Sequence, residues 1–211
     1  MLKLKEGISY NKVKDAFSVR GFRFYEAPYD LNLIGIRAST RDQKKDLFDD
    51  LIGCAYTDEN GVGKVVLYWG TTDPGDAALR NPSFQEAIKN GTAIVCEGQH
   101  RSVFQLGLHG TGSWQHEAFR QTGVFKIYRD KNRNSIMDLS PDTITQGNWY
   151  GINLHAAGKS SVVTNIGRYS EGCQVVQRFD EHQNLVRLGR KQIAYGRGDS
   201  FTYTLFLEEW F

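Results

Sequence analysis

The chain has little that would place it in an extreme class. Among its 211 residues are only 4 prolines, 3 cysteines and 5 histidines, and its acids and bases nearly cancel at a net charge of +2. No run approaches the roughly 18 consecutive apolar residues that a membrane-spanning helix needs, so no membrane span is expected. The near-neutral balance, with both signs interleaved, argues against nucleic acid as the main partner, because such proteins carry a basic face. Cys54, Cys96 and Cys173 form no CxxC pair, which removes the zinc-ribbon and thioredoxin patterns. The opening residues MLKLKEGISYNKVKDAF are charged throughout and have no apolar core of a secretory signal. Synthesis in the cytoplasm is therefore expected, with any extracellular action following lysis or a dedicated export route. Oligomeric state is not legible.

What is present is a composition able to bury a core, 40% hydrophobic and 12% aromatic, punctuated by 22 glycines. Residues 11–20 read as a helix closed by Gly21, and further helical patterns fall at 81–90 and 179–192. In the last, Phe179, Gln183, Val186 and Arg190 share one face, and Leu185 and Leu188 another. The rest reads as short strands: FRFYE, LNLIGIRA, LFDDLIGCAY, VGKVVLYWG, TAIVCEG, SVFQLGLHG, VFKIYRD, WYGINLHAA and FTYTLFLEEWF. Asn60-Gly61 marks a hairpin, and Pro74-Gly75 a tight turn. The expectation is a mostly-β (α+β) fold with a few short helices. Residues 1–40 form an N-terminal helix–strand extension on a domain spanning 41–211. Cys54 and Cys96, inside apolar runs, are expected to be buried.

Two side chains in GINLHAAGKSSVVTNIGRYSEGCQVV carry chemistry. Cys173 is a nucleophile only if a base or a cluster of amides activates it, and His155, at the end of a strand 18 positions earlier, is a candidate base. Gly172 lets backbone approach a substrate closely, and amides at that turn suit an oxyanion. Read from the residues alone, the pair fits a core cysteine beside a strand-end histidine better than it fits a nucleophile and its base.

The order His155, small-residue loop, Ser170-Glu171-Gly172-Cys173 resembles the signature of L,D-transpeptidase catalytic domains over about residues 90–211. The resemblance implies a β-sandwich or barrel acting on bacterial peptidoglycan without a cofactor. Cys173 would be the nucleophile that forms a thioester with a stem peptide, His155 the base, and Ser170 and Gly172 the turn shaping the oxyanion site. The pattern departs at Glu171, where the family has histidine, at Ala156, where a small hydroxyl residue is common, and at Val175, where a polar or basic residue is common. Glu171 opens an alternative, a phage-type muramidase in which it is the general acid and Glu97 the second carboxylate. A third reading is a wall-binding module that lacks activity.

His109, opening HGTGSW, and Trp114 are candidates to line the same cleft. His100, His109 and His116 are spaced too widely for paired ligands on one element, so no metal is expected there. Asp130, Asn132, Asn134 and Asp138 occupy positions 1, 3, 5 and 9 of a calcium-type loop. Ser135 replaces its glycine and Pro141 its twelfth-position glutamate, so a polar turn is expected instead.

Overall fold

A computed structural model describes residues 7–39, 46–159 and 162–211. The opening hexapeptide, the expected domain boundary after residue 40, and Ser160-Ser161 in the small-residue loop lie outside the described residues. Eleven strands are described: β1 (Asn32–Arg37), β2 (Asp50–Thr57), β3 (Gly63–Thr71), β4 (Thr92–Val95), β5 (Gly98–His109), β6 (His116–Gln121), β7 (Phe125–Asp130), β8 (Thr145–Gly147), β9 (Leu154–Ala156), β10 (Gln174–Val176) and β11 (Ser200–Leu207). Eight of them close a barrel in the order β1-β11-β5-β6-β9-β10-β3-β2, and β4-β7-β8 form a small second sheet. The mostly-β expectation holds. Within the barrel, β1–β11 and β9–β10 run parallel and the other pairs antiparallel.

β1 shows why the barrel needs covering on both faces. All six of its residues are buried. Leu33 joins the main core with Phe104, Phe119, Phe201 and Tyr203, whereas Ile34 and Ile36 join a second cluster with Val13 and Phe17 of helix α1 (Tyr10–Val19). Alternation along the strand sends these sets to opposite faces, and α1 closes the outer one. β1 is therefore a stave of the barrel, between β2 and β11, rather than part of an appendage. FRFYE is not a strand. Its Phe22 and Phe24 pack on Phe17 instead.

The 81–90 pattern is helical only over α3 (Gln85–Asn90); a separate short helix, α2 (Asp76–Arg80), precedes it, and Pro82 between them has no N–H for a continuing helix. Helix α4 (Phe179–Ala194) buries His182, Leu185, Val186 and Gly189. That face differs from either face expected, because His182 turns inward to the Leu154 carbonyl of β9 at 3.2 Å. Asp58 receives the amides of Asn60 and Val62 in the β2–β3 hairpin. Gly75 opens α2 rather than completing a tight turn. Cys54 and Cys96 are buried. No helix of the described residues is long and apolar enough to cross a membrane.

Candidate active site

The site is built where β9 and β10 run side by side. Val175 pairs with His155 in that parallel register. Cys173 lies two residues before Val175, so alternation turns its side chain toward the same face as the His155 ring. Both residues line one cavity of about 590 Å³, with His109, Trp114, Arg120, Asn153 and Glu171 around it.

A glycine is required in the turn that delivers Cys173. Gly172 has φ +121°, and a Cβ there would stand 2.5 Å from the Ala93 carbonyl oxygen of β4. Ser170 is fully buried. Its hydroxyl donates to the Cys173 carbonyl at 2.8 Å and accepts the Gly172 amide at 3.3 Å. Ser170 and Gly172 thus shape the turn from behind and do not line the cavity. Gln174, also fully buried, accepts the Tyr203 hydroxyl at 2.6 Å and anchors the other side of the cysteine.

The thiol itself is half-buried. Cys173 Sγ receives the Asn153 amide at 3.4 Å and faces the Gly151 carbonyl at 3.5 Å. Burial pushes the thiol pKa up to about 11, the Asn153 amide opposes this, and the Glu171 carboxylate adds to it. The His155 ring is also held neutral. Burial, followed by the neighbouring His109, lowers its pKa to about 3. Its Nδ1 lies 2.9 Å from the Ala156 carbonyl. A carbonyl can only accept, so that nitrogen carries the proton and Nε2 is left as the basic atom.

His109 lies flat against His155, the ring centroids 4.2 Å apart at 22°. His116 stands edge-on to both His109 and His182, at 5.6 Å in each case. The β5–β6 register sets His109 opposite His116. His100 is elsewhere, bonded to the Cys96 carbonyl. Among the described residues no group of three His, Cys, Asp or Glu side chains is arranged to hold a metal.

Glu171 lies at the cavity edge with its carboxylate already engaged. It accepts the Ser83 and Phe84 amides at 2.9–3.0 Å and the Ser83 hydroxyl, and Arg168 approaches to 3.6 Å. It therefore clamps the segment leading into α3 onto the turn that carries Cys173. Glu97 accepts the Tyr128 hydroxyl at 3.0 Å and does not line the cavity, so Glu171 and Glu97 do not share one site. Trp114 is half-exposed at the rim, its ring 6.4 Å from that of Tyr169.

Asn153 is a site residue that sequence reasoning missed. Its backbone meets Cys173, while its side chain bonds the Gly151 carbonyl at 2.9 Å and reaches His109 Nδ1 at 3.4 Å. One signal was available: a lone amide between the apolar Ile152 and Leu154. Arg120 reaches the cavity from β6, and Arg168 and Tyr169 from the residues just before Ser170, with no local pattern to mark their role. Comparison of the chain with family models, curated proteins and solved structures gave no match.

Proposed function

We propose that the protein is a peptidoglycan-acting enzyme of L,D-transpeptidase-like fold that attacks the stem peptide through a Cys173 thioester. The observation that carries this reading is that Cys173 and His155 line one cavity, with His155 Nδ1 committed to the Ala156 carbonyl so that Nε2 is the nitrogen able to take a proton. As Sγ attacks the acyl carbonyl, Nε2 removes the thiol proton and then delivers it to the departing amine. An acceptor amine or water then opens the thioester, regenerating the thiol. Since thiol and imidazole are both neutral at rest, proton transfer accompanies attack rather than preceding it. Arg120 and Arg168 bring cations to the cavity, which suits the carboxylates of a stem peptide. The enzyme would meet its substrate after lysis or dedicated export.

Glycan-strand hydrolysis with Glu171 as acid is less favoured, because the Glu171 carboxylate is spent on Ser83 and Phe84 and Glu97 is not beside it. A binding module without activity draws its support from the raised thiol pKa. Digestion of purified sacculi followed by mass spectrometry separates the three. Cleaved or exchanged stem peptides that disappear with Cys173→Ala support acyl transfer. New reducing ends that disappear with Glu171→Gln would replace it with glycosidase chemistry. Binding without release would leave the module.

A further inference from the structure

The loop after β7 holds a second set of oxygen donors, none of which lines the cavity around Cys173. Asp130 ends β7 and is 2% exposed. Its Oδ2 accepts the Asp138 amide across the loop at 2.9 Å, which turns the carboxylate inward to residues 132–138. Its other oxygen, Oδ1, is buried and has no hydrogen-bond partner among the described residues. The amides of Arg133 and Asn132 add a weaker pull on the carboxylate without closing a bond to that oxygen. A buried carboxylate oxygen without a partner is costly, and an ion is one of the few things that relieves it.

The surrounding donors are hard oxygens. Asn132 and Asn134 each turn their side-chain oxygen back over the loop, toward the amides of Asn134 at 3.2 Å and Ile136 at 2.9 Å. Each amide oxygen keeps a second lone pair. Asp138 accepts the Ser140 amide through Oδ1 only, at 2.9 Å. We infer that Asp130, Asn132, Asn134 and Asp138 form a calcium site, in which the bare Asp130 oxygen is the anchoring ligand. Calcium accepts six to eight oxygens in flexible geometry, with carbonyls and water completing the shell, whereas magnesium demands a tighter octahedron. The sequence favours a polar turn here because Ser135 and Pro141 stand where the loop's glycine and twelfth-position glutamate belong. Loss of that ligand weakens a site without removing its anchor.

The site would also brace the candidate active site. Asp130 pairs with Thr92 of β4, and the next residue, Ala93, supplies the carbonyl against which Gly172 rests. A cation closing the loop would stiffen the strand beneath the nucleophile turn.

Calcium titration of the chelator-treated full chain, followed by thermal unfolding and calorimetry, tests the assignment. The expected result is a rise in unfolding midpoint and a heat of binding with half-saturation at about 0.1–1 mM, the range of weak extracellular sites. Magnesium chloride at the same concentrations should leave both unchanged. Asp130→Asn should abolish binding. Asp138→Asn and Asn132→Ala, which touch the more exposed part of the loop, should weaken it at least about tenfold while the chain stays folded. No heat and no shift at calcium ten times above that range would overturn the site, the Asp130 carboxyl then being satisfied by a proton. An equal response to magnesium, or an unchanged response in all three variants, would overturn it as well.

Discussion

The imidazole of His109 is stacked on that of His155, 4.2 Å between centroids, and two rings so placed resist being charged together. Burial and mutual proximity hold His155 and His182 down to a pKa of about 3, and burial, with His116 beside it, holds His109 at about 4. His100, buried separately, is also at about 4. All four lie below the ordinary 6.5, so each contributes stability that is complete above pH 6.5 and lost as pH falls toward its folded value. Asp50 works in the opposite sense. Burial raises it from 3.8 to about 7, so its contribution is complete below pH 3.8 and fades as pH rises through 7. Burial raises Asp30 and Asp130 as well, but the four large histidine shifts outweigh these carboxyls and predict a fall in unfolding midpoint as pH drops from about 6.5 to about 4. Thermal unfolding across that window should show it, and His109→Phe, which keeps an aromatic ring on His155, should flatten the slope. A midpoint that rises on acidification would contradict the neutral cluster.

Cys173 should be selective in labelling yet slow at neutral pH. Cys54 is fully buried and Cys96 nearly so, so a thiol-directed alkylating agent has access to Cys173 alone in the folded protein. With a thiol pKa of about 11, the reactive thiolate is scarce at pH 7, and labelling should accelerate about tenfold per pH unit up to that value. Mass mapping of the alkylated peptide against pH checks both points. A rate that is already maximal at pH 7 would mean a preformed thiolate–imidazolium pair.

Gly172→Ala should disable the turn. The residue sits at φ +121°, and the added Cβ would fall 2.5 Å from the Ala93 carbonyl oxygen. The backbone conformation alone costs about 1–3 kcal/mol in a residue other than glycine, and the contact with β4 adds to it. Either the turn shifts, displacing Cys173 from the Asn153 amide, or β4 does. The measurable outcome is a lower unfolding midpoint together with loss of stem-peptide chemistry on sacculi.

The elements legible in sequence are those whose pattern is local. α1, the β2–β3 hairpin and β11 are announced by the closing Gly21, by Asn60-Gly61 and by sustained β-branched and aromatic residues. FRFYE carries the same composition, but α1 supplies aromatic partners for Phe22 and Phe24, and the segment needs no strand. β6 is missed because HEAFRQ is half polar, its pairing being fixed by the long β5 opposite. β10 is only three residues and is held by β3 and β9. The site divides in the same way. His155 and Cys173 are visible because the chemistry of a thiol asks for a base. Asn153 acts through its backbone amide, which every residue except proline possesses. The partners of Glu171 stand 87 and 88 positions away in sequence, beyond any local pattern.

Glu171 is the departure with the clearest experimental consequence, since its clamp role and an acid role predict different results. The carboxylate accepts two backbone amides and a hydroxyl ahead of α3, much as a capping side chain does. Glu171→Ala should therefore cost about 0.5–2 kcal/mol, the range for loss of a cap. Glu171→Gln keeps one acceptor oxygen but turns an amide N–H toward donors, so an intermediate loss is expected. Both changes also remove a negative charge that raises the Cys173 pKa. If Glu171 only clamps, Glu171→Gln should label faster at Cys173 near pH 7 than the parent protein and should retain stem-peptide activity. If Glu171 were the acid of a glycosidase, the same variant would lose all release of glycan fragments, whatever its thiol reactivity. Measuring the labelling rate, the unfolding midpoint and the sacculus digest on one preparation of each variant distinguishes the two roles, because only a clamp leaves the digest chemistry intact in Glu171→Gln while the thiol quickens and the fold weakens.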